Sequence, residues 1–108
     1  MKGAQGQHRQ SLVTLRDSGD LLTRAQIKAI RKLMPEVGGG RAMAGRMGVH
    51  WSTLYRYLAR EIRVGVGAKI ALCILFDESG VEAPFSLGPV EEAIRQQHKQ
   101  RHKEAHHV

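Results

Sequence analysis

The chain has 108 residues, with 17 Lys/Arg against 10 Asp/Glu and a formal charge of +7, and a sequence pI near 10.2. That length holds one domain with a single modest core and excludes a catalytic domain joined to a separate binding domain. A single cysteine excludes an intrachain disulfide framework or a cysteine zinc site, and the positive excess points to a polyanionic partner.

The charge is unevenly spread. Residues 23–34 carry four Lys/Arg and no acid (+4), residues 40–63 five Arg and one Glu (+4), residues 64–94 one Lys and five acids (−4), and residues 95–108 four Lys/Arg and one Glu (+3). Such a division suggests one side that faces nucleic acid and another that must not, although a solvated basic helix face would produce the same runs.

In chain order, residues 1–8 are Gly/Gln-rich and polar, too poor in apolar groups to offset the cost of ordering, and are expected to form a disordered arm. They lack the apolar core of a signal peptide, no run approaches transmembrane length, and a cytoplasmic protein with no membrane partner is expected. Leu12, Val13 and Leu15 fit a short helix or a strand, with helix preferred, ended by Asp17-Ser18-Gly19-Asp20.

Thr23-Arg24-Ala25-Gln26 is a capping box, in which the threonine hydroxyl and the glutamine amide each satisfy a backbone N–H of the other. The helix it starts repeats Leu22, Ile27, Ile30, Leu33 and Met34 at three- and four-residue steps, with Arg24, Lys28, Arg31 and Lys32 opposite. Pro35 stops it. Gly38-Gly39-Gly40 then gives a flexible connection. It resembles a phosphate loop only in its glycines, because no strand precedes it and no Gly-Lys-Ser/Thr follows.

Residues 40–59 read as a helix-turn-helix. Gly48 supplies the bend, Ala44 lets two short helices approach, and Met43, Met47, Val49, Leu54 and Leu58 face the core. Trp51, Ser52, Tyr55 and Arg56 are left outward, a set able to reach base edges, thymine methyls and phosphates in a major groove.

The run Ser52-Thr53-Leu54-Tyr55-Arg56-Tyr57-Leu58 after Gly48-Val49 resembles the recognition helix of resolvase/invertase DNA-binding domains and is similar to the lambda-repressor-like regulators of phages and plasmids. About 20 residues carry the likeness. In the resolvase/invertase group the serine and arginine matched by Ser52 and Arg56 contact bases, so the resemblance implies that role for them. Those families place a small Ser or Thr cap where this chain has His50. The helix is therefore expected to begin one or two residues later, with Ser52 as its N-cap.

Gly65 to Lys69 is expected to be a turn. Ala68 to Phe76 is apolar nearly all round, so periodicity cannot separate helix from strand, and its place after the recognition helix favours helix by the same likeness. Cys73 is expected to be a buried, inert thiol. A helix so uniformly apolar offers more surface than one small core covers. Ile70, Ile74, Phe76 and Phe85 are accordingly expected on a dimer or partner surface, unless neighbouring segments cover them within the monomer. Pro89 opens a final helix running to about Lys103, with Glu91 and Glu92 at its positive end. His98, His102 and His106 recur every four residues, but no carboxylate or cysteine completes a metal site. No metal or other cofactor is expected.

The expected architecture is all-α, a small bundle of about five helices containing a helix-turn-helix. Its parts are an arm (1–8), a DNA-binding domain with a dimer or partner surface (9–94) and a basic His-rich tail (95–108). Trp51, Ser52, Tyr55 and Arg56 are the expected base contacts. Lys28, Gly40, Arg41, Arg46 and Arg60 are the expected phosphate contacts, Gly40 through backbone N–H groups at a helix start. Function is expected to be sequence-specific binding of double-stranded DNA by a transcriptional repressor of a mobile element, acting as a homodimer on an inverted repeat. Two alternatives stand beside it. One is an antitoxin-like adaptor that captures a protein partner through residues 70–94, and the other an excisionase-like architectural factor. No paired carboxylates, Cys/His or Ser/His/Asp arrangement points to an enzyme.

Overall fold

Thr23 starts the first helix in the way its sequence predicts. Its Oγ1 accepts from the Gln26 N–H at 3.1 Å while Gln26 Oε1 accepts from the Thr23 N–H at 2.9 Å, closing the capping box. The computed structural model describes residues 19–106. Within them the chain is all-helical: α1 (Arg24–Leu33), a 3₁₀ turn (Met34–Val37), α2 (Gly40–Met47), α3 (Trp51–Leu58), α4 (Val66–Glu78) and α5 (Pro89–His106). The expected arm and the helix-or-strand segment at Leu12–Leu15 lie outside the described residues. No described helix is long and apolar enough to cross a membrane.

Pro35 lacks the N–H that another α-turn needs, so α1 tightens into the 3₁₀ turn after Leu33. Gly38 and Gly39, at φ 102° and 103°, then reverse the chain into α2. Gly48, at φ 75°, ends α2 in the left-handed conformation and leaves three residues, Gly48 to His50, before α3. A side chain there would meet open space, so what Gly48 supplies is backbone freedom alone.

The apolar positions read from the sequence meet in one core. α1 contributes Ile30 and Leu33, α2 contributes Met43, Ala44 and Met47, α3 contributes Leu54, Tyr57 and Leu58, and α4 contributes Leu72, Leu75 and Phe76. Cys73 is fully buried beside them, and burial raises its thiol pKa, which suppresses the reactive thiolate. Burial likewise raises the Tyr57 phenol pKa.

The chain leaving α3 is tied to the chain entering α1. Val64 N–H donates to the Asp20 carbonyl at 2.9 Å, forming an isolated antiparallel bridge. Arg60, at φ 59°, donates from Nε to the Leu22 carbonyl at 2.9 Å. Gly19 makes the approach feasible, because a Cβ there would lie 1.5 Å from the Val64 carbonyl oxygen.

Two expectations about the second half need correction. The expected turn at Gly65–Lys69 is the first turn of α4, with Gly65 as its N-cap, because the local glycines do not outweigh packing of the apolar run that follows. Phe76, assigned to an exposed interface, is wholly buried. Phe85 from the following loop lies edge-on to it, ring centroids 6.4 Å apart, so this pair is satisfied within the monomer. Ile70 and Ile74 are half-buried on α4.

The last helix starts at Pro89 as expected and continues to His106, three residues past the expected end. Arg95 anchors it, with Nε and Nη2 each 2.6 Å from a carboxylate oxygen of Asp77 on α4. This bidentate pair holds the Asp77 carboxyl below its ordinary pKa and the Arg95 guanidinium above its own. Arg95, the first residue of the expected basic tail, is thus held by a partner 18 positions away.

Candidate nucleic-acid interface

α3 buries Leu54, Tyr57 and Leu58. On an α-helix that places Trp51, Ser52, Tyr55 and Arg56 around the remaining arc. Trp51, Tyr55 and Arg56 are exposed and Ser52 is half-buried. An exposed Trp and Tyr one turn apart leave a sizeable aromatic surface uncovered by the fold.

The start of α2 joins this face. The Arg41 guanidinium lies over the Trp51 ring, 5.2 Å from its centroid, a cation–π arrangement. Trp51 and Tyr55 meet edge to face at 6.0 Å. Tyr55 in turn lies over Gly40, where a Cβ would come within 2.3 Å of its hydroxyl oxygen. Gly40 therefore has a steric role that the sequence reading, which assigned it backbone contacts only, did not foresee. Gly39 caps α2 without a side-chain hydrogen bond, so the first N–H groups of α2 have no side-chain acceptor at the cap and stand close to this aromatic surface.

The start of α3 differs from expectation. His50, not Ser52, is its N-cap: His50 Nδ1 accepts from the Ser52 N–H at 3.2 Å. An imidazole nitrogen two bonds from Cβ can reach the same N–H as an Asn or Asp oxygen, so the helix begins at Trp51 and Ser52 becomes its second residue. Ser52 Oγ is 2.7 Å from the same nitrogen, and the His50 ring lies 5.4 Å from that of Trp51 at 34°. His50 is thus a site residue that the sequence reading did not include. The available signal was its place immediately before a helical pattern, discounted because His is not a favoured cap.

The basic residues divide into two groups. Arg41 and Arg56 belong to the cluster, Arg56 Nε sitting 3.5 Å from Glu61 in a pair whose members are both well exposed, so little free energy opposes its exchange for another anion. Arg46 and Arg60, both expected on phosphates, are exposed and each has a partner within the chain. Arg46 pairs with Glu78 on α4, and Arg60 holds the Leu22 carbonyl. Lys28 stands exposed on α1, a separate element. On α5, His98 Nε2 lies 3.4 Å from Glu78. Among the described residues no group of three His, Cys, Asp or Glu gathers as a metal site, and the side chains of His102 and His106 lie outside the described residues.

Comparison of the chain with protein-family models, with curated proteins and with solved structures returns no match.

Proposed function

We propose that this is a sequence-specific double-stranded DNA-binding protein of the helix-turn-helix kind, with α2 and α3 as the paired helices and α3 as the one that enters the major groove. The observation that carries the reading is the outward set on α3. Trp51, Ser52, Tyr55 and Arg56 are presented together on a helix whose other side is core, inside a segment of charge +4 from five Arg and one Glu. A guanidinium and a hydroxyl on the first turns of such a helix are suited to base edges, and aromatic edges to thymine methyls. The uncapped N–H groups at Gly40 and Arg41 suit a phosphate.

The role that follows is a cytoplasmic transcriptional regulator, a repressor of a mobile element, working by occupancy as a homodimer on an inverted repeat. Selection of bound fragments from random DNA tests it. The expected result is an enriched palindrome with half-sites about one helical turn apart, near 34–36 Å centre to centre. In the same assay Arg56→Ala relaxes the choice at one base pair and costs about 1–3 kcal/mol there. Equal loss on selected and random DNA would remove Arg56 from base reading, and no enrichment at all would reject sequence-specific recognition.

A protein-binding adaptor is favoured by one separate observation. Val90 and Ile94 on α5 and Val81 in the loop after α4 are exposed apolar side chains, Val90 at 70%, on the acidic half of the chain. Co-purification of a stoichiometric partner that is lost on Val90→Glu would support this second reading.

A further inference from the structure

The first turn of α3 holds a hydrogen-bond arrangement that DNA binding in general does not require. His50 Nδ1 receives the Ser52 N–H at 3.2 Å and lies 2.7 Å from the Ser52 hydroxyl oxygen. A backbone N–H can only donate, so Nδ1 is the bare nitrogen of the ring and the ring proton is on Nε2. The hydroxyl can then approach Nδ1 at that distance only by donating to it. Its single hydrogen is held within the chain, and lone pairs alone remain for a partner.

We infer that His50 sets what Ser52 can read: Ser52 selects an exocyclic amine, adenine N6 or cytosine N4, over a carbonyl at the same place. The inference rests on the reading of α3 as the major-groove helix. An unrestrained serine hydroxyl rotates and serves equally as donor to thymine O4 or guanine O6 and as acceptor from an amine, which is why serine is ordinarily a permissive contact. With its hydrogen directed at Nδ1, the hydroxyl meets O4 or O6 as lone pair against lone pair, whereas an amine supplies the missing hydrogen. Ser52 is the second residue of α3, in the N-terminal turn from which such helices reach base edges. The Trp51 ring lies beside the imidazole and is itself flanked by Arg41. His50 acts here as a positioning residue, through Ser52.

Selection from random double-stranded DNA with the full chain and three variants tests the inference. The unaltered protein is expected to enrich a motif with one column favouring A or C over T or G by about tenfold. Ser52→Ala flattens that column alone. His50→Gly keeps a residue that caps helices at a cost of only a few tenths of a kcal/mol but has no acceptor, so the preference in this column falls to about twofold or less. His50→Asn, whose Oδ1 occupies the place of Nδ1, restores the preference.

A column favouring T or G in the unaltered protein would overturn the inference. So would a His50→Gly variant that weakens binding to every sequence alike with the column unchanged, since His50 would then be a cap and no more. In both outcomes the unaltered protein still binds DNA. Failure of the unaltered protein to bind any fragment would instead reject the DNA reading beneath the inference.

Discussion

Gly40→Ala is the substitution whose effect the structure specifies most closely. The new Cβ would stand 2.3 Å from Tyr55 Oη, 2.9 Å from Cζ and 3.3 Å from Cε2, against 3.4 Å or more for ordinary contact. The phenol must therefore swing out by about 1 Å, an overpacking cost of about 1–3 kcal/mol at the low end because an exposed ring can move. Alanine recovers up to about 1 kcal/mol of helix propensity over glycine. The net expectation for Gly40→Ala is a loss of about 0–1 kcal/mol, whereas in a Tyr55→Ala background the obstruction is gone and the same change becomes neutral or stabilising. Urea unfolding of the four proteins measures the coupling as a double-mutant cycle, and about 1–2 kcal/mol is expected. Additivity within about 0.3 kcal/mol would refute the packing of Tyr55 on Gly40. The cluster also predicts that Gly40→Ala alters any DNA contact made by Tyr55 or Trp51, through their edge-to-face contact.

Asp77→Asn is expected to destabilise the fold by about 2 kcal/mol at neutral pH, because the amide offers the little-exposed Arg95 one acceptor oxygen in place of two and sets an NH2 donor against the other guanidinium N–H. Since Asp77 has a folded pKa below its unfolded one, its contribution is fully present above the unfolded value, near 4, and is lost as pH falls through the folded value. Chemical unfolding from pH 7 to 2 should therefore show the two proteins converging in acid. A gap that persists at pH 2 would mean the loss came from packing rather than charge. Gly48→Ala should cost about 1–2 kcal/mol from the positive φ alone, as measured by urea unfolding, since no atom obstructs the added methyl; a neutral result would mean the turn relaxes to negative φ.

What the sequence discloses and what it withholds divide along the range of the interactions. The Thr23–Gln26 box, the stop at Pro35, the bend at Gly48 and the core positions of α1 to α3 were all readable, because each depends on residues within a few positions of one another. The outward positions of Trp51, Tyr55 and Arg56 followed from the same periodicity. The Arg46–Glu78, Arg60–Leu22 and Asp77–Arg95 contacts join positions 18 to 38 apart, and nothing in a local pattern marks them. A count of positive charge therefore could not disclose the partners of Arg46 and Arg60 within the chain. The uniformly apolar α4 concealed which of its sides is covered, so Phe76 could not be told from Ile74 until the loop carrying Phe85 was in place. His50 was misread for another reason: propensity ranks residue types by average behaviour, and here one ring nitrogen does the work of a serine oxygen.

The bridge between Asp20 and Val64 gives α1, α2 and α3 a common fate. With Arg60 gripping the Leu22 carbonyl, residues 20 through 64 form a loop clasped at its neck, and the two helices around Gly48 sit inside it. Local opening of such a unit frees little chain entropy until the clasp itself releases, so the amides of α2 and α3 should exchange with solvent as one cooperative block, while the outer turns of α5 exchange ahead of them. The helix that carries Trp51, Ser52, Tyr55 and Arg56 thus inherits its rigidity from a main-chain contact made several residues beyond its own end.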